Sequence, residues 1–177
     1  MESKIYNLDI IKATLSDLAQ LQTLAAKTFI QSHGHSAAEE DIEHYVSNAF
    51  SMDSLSADLQ DQSNYYHLLK HEDLIIGYSN IQPGHRFPSL GLRHTCMLKR
   101  IYLQEEFLGQ GFGKRLLDFN IELSKVLGQE GMCLYVWTEN IRAVEFYRNQ
   151  GFRIIGSYDF PISPNHSNPN HRMLLRF

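Results

Sequence analysis

Cysteine is scarce in this chain: Cys96 and Cys133 are its two thiols in 177 residues. There is no disulfide framework to read, and both lie in strand-like, mostly apolar stretches, which implies two buried, reduced thiols. No apolar run approaches the roughly 18 residues that a membrane-spanning helix needs. Met1-Glu2-Ser3-Lys4 lacks a signal-peptide core. Basic residues are not in excess: 16 Lys and Arg against 20 Asp and Glu give a net charge of −4, which argues against a nucleic-acid surface. The expectation is a cytoplasmic protein with no nucleic-acid and no membrane partner. Hydrophobic content of 43% and charged content of 20% are ordinary for a globular protein with a real core.

What is present follows two periods. Residues 5–13, 65–70, 74–82, 95–103, 132–138, 153–160 and 173–177 read as strands. Helical spacing runs from Leu15 to about Phe29, behind a Thr14 cap with Asp17 three residues on. Ser36, with Glu39 at capping-box spacing, opens a second helix, and 53–61 a third. The period returns over 115–128 and from Asn140 to Gly151. Ser32-His33-Gly34-His35 breaks the first helix, and 83–88 and 161–169 have loop composition. Elements alternate with no internal repeat and no linker. The expected class is α/β, one domain over 1–177 with a mixed central sheet flanked by helices, and 132–138 as a central strand.

Between the strand ending at Leu103 and the helix beginning near Arg115 lies Leu108-Gly109-Gln110-Gly111-Phe112-Gly113-Lys114. A glycine-spaced turn into a helix start converges backbone N–H groups on an anion. Glycine also permits φ > 0 and close approach of a phosphate. The spacing fails the P-loop, which needs Gly where Leu108 stands and Ser or Thr where Arg115 stands. It fails the dinucleotide fingerprint, which needs Gly at Lys114. A pyrophosphate cradle remains, beside the plainer reading of a turn that only redirects the chain.

Two stretches together resemble the GNAT superfamily of acetyl-CoA-dependent N-acetyltransferases. Lys99-Arg100-Ile101-Tyr102-Leu103 followed by Gly109-Gln110-Gly111-Phe112-Gly113-Lys114 is similar to that family's pyrophosphate motif, (Arg/Gln)-x-x-Gly-x-(Gly/Ala), with Leu108 departing from its first position. Asn140-Ile141-Arg142-Ala143-Val144-Glu145-Phe146-Tyr147 through Gly151-Phe152 is similar to its Asn-x-x-Ala-x-x-Phe-Tyr-x-x-x-Gly-Phe segment. The resemblance implies a GNAT-like sheet of about six to seven strands, splayed where 95–103 and 132–138 part. Acetyl-CoA would lie in that gap along Ile101, Tyr102 and Leu103. Its pyrophosphate would sit at Gly109, Gln110, Gly111, Phe112, Gly113 and Lys114, its pantetheine arm would touch Asn140, and Tyr147 would lie near the sulfur.

Acyl transfer needs an oxyanion stabiliser, an acid for the leaving thiolate and a deprotonated amine. A phenol with pKa ~10 is a workable acid toward a thiolate of pKa ~8.5, which suits Tyr147. An alkyl ammonium of pKa ~10.4 must lose its proton, and 95–103 carries no carboxylate to take it. His33, His35, Tyr45, Tyr78 and His94 are the candidates. Two histidines with no further clustered ligand do not make a metal site, so no metal is expected.

Thr28-Phe29, the segment 45–50 and Val136-Trp137-Thr138-Glu139-Asn140 are similar to the polyamine branch of the same superfamily. That implies spermidine or spermine as acceptor, with Phe29, His33, Tyr45 and Tyr78 against it. Glu39, Glu40, Asp41 and Glu43 would lend negative charge beside the groove. Acetylation of a protein or peptide amine, a non-catalytic acetyl-CoA-binding regulatory module, and a homodimer stay open as alternatives.

Overall fold

Capping chemistry sets where the helices begin. The Asp17 carboxylate accepts from the Thr14 N–H and hydroxyl at 2.8 and 2.9 Å, and one 3₁₀ turn, Leu15–Asp17, leads into α1 (Leu18–His33). This helix continues past Phe29, so Ser32 and His33 end it instead of breaking it. α2 (Glu39–Ala49) starts behind Ala38, not Ser36. The Ser36 hydroxyl is engaged elsewhere: it accepts from Asn168 Nδ2 at 2.8 Å and ties the α1–α2 turn to the sheet. Glu39, Glu40 and Asp41 fill the first turn of α2, where they complement the helix dipole. α3 (Met52–Gln60) is capped by the Ser51 hydroxyl, which accepts from the Ser54 N–H at 3.1 Å.

The structure, a computed structural model, describes residues 8–87 and 91–177. Its strands are β1 (Leu8–Lys12), β2 (Tyr65–His71), β3 (Leu74–Phe87), β4 (Leu92–Leu103), β5 (Gly131–Trp137), β6 (Arg153–Ser163) and β7 (His166–Arg176). They form one seven-stranded mixed sheet in the order β1-β2-β3-β4-β5-β7-β6. The first strand as read from sequence began at residue 5; 5–7 lie outside the described residues, as does Pro88.

Both proline-bearing segments read as loops are mostly strand, with a turn kept at Pro164-Asn165. β3 runs on through Pro83 to Phe87 with irregular register, pairing His85 with Thr95. β6 and β7 form a long hairpin that includes Pro161 and Pro169. Proline is tolerated there because β6 is an edge strand, and β5 stops pairing with β7 at Asn170.

Helices α4 (Phe112–Val126) and α5 (Ile141–Asn149) cover one face of the sheet, burying Leu117, Val144 and Phe152 against Cys96, Met132 and Leu134. Helices α1, α2 and α3 cover the other, burying Leu21, Phe29 and Leu55 against Tyr66, Leu68 and Tyr78. Cys96 and Cys133 are neighbours on adjacent strands but belong to different packing clusters on opposite faces. Burial pushes their thiols up to about 11 and about 12, so both stay protonated.

Candidate active site

Among the described residues β4 and β5 are the only parallel neighbours, and they pair only at Cys96↔Met132 and Met97↔Cys133. β4 continues to Leu103 and β5 to Trp137 without pairing again, so the two strands part toward their C-terminal ends. The far edge of β4 stays bonded to β3, which holds Ile101 opposite Ser79 and Tyr102 opposite Tyr78. The β4 backbone facing the gap is thereby left without a strand partner.

A bulge shapes this gap. Asn80 pairs with Arg100 and Ile81 with Leu98, leaving Lys99 as an extra residue. Leu98 and Ile101 consequently pack in the same cluster under α4 and α5, although three residues apart. An unbroken strand would put them on opposite faces. The bulge turns Arg100 and Tyr102 toward α1–α3 and re-aims the backbone beside the gap, as bulges near functional sites do.

The turn from β4 into α4 presents backbone, not side-chain charge. Gly109 and Gly111 have φ of 79° and 85°, and a Cβ built on Gly111 would meet nothing within 4 Å. The space above that glycine is open, and the first-turn N–H groups of Gly113 and Lys114 have no intrahelical partner. Gly113 serves packing: a Cβ there would lie 3.2 Å from Leu103 Cδ1. The side chains turn elsewhere. Phe112 is buried, Gln110 Nε2 donates to the Glu106 carbonyl, and Lys114 Nζ pairs with Asp118 at 2.6 Å. Sequence reasoning missed Arg142. Its Nη2 lies 3.6 Å from where a Gly109 Cβ would be, which brings a cation from α5 to the turn. The signal was its place two residues after Asn140.

Asn140 caps α5: its Oδ1 accepts from the Ala143 N–H at 3.1 Å. Tyr147, on the same helix, is 8% exposed and packs against Phe152 at 5.6 Å between ring centroids. Burial, and then the Tyr102 phenol, push its hydroxyl well above the ordinary value, so at neutral pH it stays protonated.

Across the gap stands a wall of rings. His33 stacks on Phe29 at 4.7 Å, and its ring lies 5.8 Å from Trp137 of β5 and 6.2 Å from Tyr102 of β4. It therefore bridges the two parted strands. Phe29 also stacks on Tyr45 at 4.7 Å, and His35 reaches Trp137 at 5.1 Å. Phe29 is buried behind this wall. Tyr78 is fully buried behind Tyr102, with its hydroxyl sealed from partners, so it backs the site without facing it. His94 lies near the start of β4, seven residues and about 23 Å of extended strand from Ile101, and is not part of this site. Of the charged side chains near the wall, Arg100 is the most enclosed. It donates to Tyr66 Oη at 2.9 Å, lies 3.9 Å from Asp58 and sits over Phe50 at 4.7 Å. Among the described residues no group of three or more His, Cys, Asp or Glu could hold a metal.

These features fit acetyl-CoA: an open glycine turn with the Gly113 and Lys114 amides free of intrahelical partners for a pyrophosphate, next to an unpaired strand edge for an amide-bearing arm. Known proteins agree. An uncharacterized N-acetyltransferase in the pepI 3′ region of Lactobacillus delbrueckii subsp. lactis is 22% identical over 151 residues, covering 85% of this chain and 87% of that one. The spermidine N(1)-acetyltransferase of Thermoplasma acidophilum is 24% identical over 155 residues, 84% and 89% of the two chains. The crystal structure of the PaiA N-acetyltransferase of Thermoplasma acidophilum with coenzyme A superposes with a TM-score of 0.78 at 20% identity, covering 97% of this chain and 99% of that one, and so shows the same fold. The sequence profile of the acetyltransferase (GNAT) family matches residues 18–152, and this chain therefore belongs to that family and is an acetyl-CoA-dependent N-acetyltransferase.

Proposed function

We propose that the enzyme acetylates a primary amine entering the β4–β5 gap from the α1–α2 side, and that this amine belongs to a polyamine such as spermidine or spermine. The observation that carries the reading is the gap itself, which opens at one end onto the glycine turn and at the other onto the ring wall of His33, Tyr102 and Trp137. Rings attract a cation through their negative faces. Similarity to a spermidine N(1)-acetyltransferase supports the same acceptor class.

Acetyl-CoA, when bound, supplies an activated acetyl thioester. The chain's own groups do the rest. Amides from Gln110 to Lys114 hold the pyrophosphate, and Asn140 holds the pantetheine arm. A backbone N–H at Ile101 or Tyr102 takes up negative charge developing on the acetyl oxygen. Tyr147 Oη gives a proton to the departing sulfur.

A second reading, transfer to a peptide amine, draws on a groove of about 520 Å³ between α2 and the β6–β7 tip, bordered by Tyr45, Asn48, Pro161 and Ser163 and free of carboxylates. Thiol release from acetyl-CoA, measured with spermidine, spermine and a peptide bearing a free N-terminus, separates the readings. Faster release with the polyamines is expected. Faster release with the peptide favours the second reading, and tight acetyl-CoA binding with no release from any amine leaves only a non-catalytic module.

A further inference from the structure

The acceptor amine must lose a proton, and five side chains could take it on sequence grounds. The structure removes four. Tyr78 is sealed, Tyr45 is a phenol held protonated by burial, His94 lies at the far end of β4, and His35 is an exposed residue at the rim. His33 remains, and its hydrogen bonds fix which of its nitrogens is free.

Ser32 Oγ lies 2.9 Å from the Thr28 carbonyl and 3.1 Å from the Phe29 carbonyl, the back-bonding that serine adopts inside a helix. Its single hydrogen is committed there. The same oxygen lies 2.7 Å from His33 Nδ1 and, with its hydrogen on a backbone carbonyl, accepts from that nitrogen. Nδ1 therefore carries the ring proton, and Nε2 keeps its lone pair. Stacking on Phe29 holds the ring plane, with Tyr102 and Trp137 on either side of the gap.

We propose that Ser32 locks His33 in the Nδ1–H tautomer so that His33 Nε2 takes the proton of the attacking amine. This rests on the acceptor entering as proposed above. The amine nitrogen forms a bond to the acetyl carbon and passes one proton to Nε2. The carbon–sulfur bond breaks, and the sulfur takes one proton from Tyr147 Oη. His33 then releases its proton to solvent and Tyr147 recovers one from it, so the net change is zero. An acceptor arriving as an ammonium sheds one further proton to solvent before attack.

The surroundings keep His33 unprotonated until it is needed. Burial, and then the nearby His35, lower its pKa to about 4. Among the described residues, the other titratable rings around it are Tyr102 of β4 and, across Phe29, Tyr45 of α2 with Arg100 behind it. None of these is a carboxylate that would hold the ring charged. His33 is also the last residue of α1, where the helix's negative end eases a passing positive charge.

The tautomer can be read directly from long-range ¹H–¹⁵N imidazole spectra of the labelled protein near pH 7. A protonated Nδ1 and bare Nε2 are expected; an Nε2–H ring, or an average of the two, overturns the lock whether or not any amine is turned over. In turnover, His33→Asn should lower kcat about a hundredfold with unchanged acetyl-CoA affinity. Ser32→Ala should lower kcat several-fold, roughly tenfold at most, and Ser32→Thr should restore it. Wild-type kcat in His33→Asn removes His33 from the reaction, and wild-type kcat in Ser32→Ala removes Ser32. Absence of turnover in the wild-type enzyme with every amine fails the acceptor reading instead.

Discussion

The role proposed for Tyr147, giving a proton to the leaving sulfur, turns on one hydroxyl. Tyr147→Phe keeps the ring packed against Phe152 and removes only the hydroxyl. Turnover should fall roughly a hundredfold while acetyl-CoA affinity, measured by calorimetry, stays the same; unchanged turnover takes Tyr147 out of the chemistry. Gly111 acts on the donor alone. Its φ of 85° strains any L side chain by about 1–2 kcal/mol, and a valine would fill the open space above the turn. Gly111→Val should weaken acetyl-CoA binding at least about tenfold, and native affinity would refute the cradle. At this scale the sequence was readable where spacing determines local geometry: positive φ at Gly109 and Gly111, and Asn140 as a cap. Tyr147 was singled out only through the family resemblance. The sequence was not readable where exposure depends on strand register. Tyr78 and His94 are chemically suitable residues, but one sits behind Tyr102 and the other at the wrong end of β4.

Among the elements, β4 carries most of the site, and its bulge at Lys99 is the feature that no spacing argument foresaw. Alternation along Leu98 to Leu103 gives no warning that the faces exchange, because both faces there are partly apolar. Arg100 ends up enclosed as a result, holding Tyr66, Asp58 and the Ala49 carbonyl at the α2–α3 junction. Arg100→Met should cost about 2–3 kcal/mol in urea unfolding, because the Tyr66–Asp58 hydrogen-bonded pair loses the positive charge beside it in a mostly buried place. A cost below about 0.5 kcal/mol would mean that the junction is held by packing alone. The β6–β7 hairpin was misread for another physical reason. Proline and asparagine mark loops by their intrinsic turn preferences, but an edge strand needs fewer N–H donors, and Asn168 spends its amide on Ser36.

For the molecule as a whole, buried neutral imidazoles couple folding to pH. His67 of β2 is 7% exposed with its ring against Phe119, and burial lowers its pKa to about 4, as it does for His33. Unfolded imidazole titrates near 6.5, so the stability these rings contribute is complete above that pH and is lost as pH falls toward 4. At His67 the loss should reach about 3 kcal/mol over the full window. Urea unfolding between about pH 7 and about pH 5, above the ~4 of ordinary carboxylates, should show stability falling steadily as pH drops, with a shallower slope in His67→Gln. A flat profile would contradict neutral burial. The order of strands and helices was legible because hydrophobic period survives in nearly every element; the parting of β4 from β5 was legible only through family resemblance, since pairing that stops leaves no mark in composition.

That parting, with the glycine turn beside it, is the core of the account. Backbone amide ¹H–¹⁵N shifts followed during titration with coenzyme A test it most directly. The account predicts that the largest changes fall at Ile101 to Leu103, Gly109 to Lys114 and Asn140, with little change at Asn48 and Ser163 in the α2–β6 groove. Largest changes in that groove, or none anywhere at saturating coenzyme A, would contradict it.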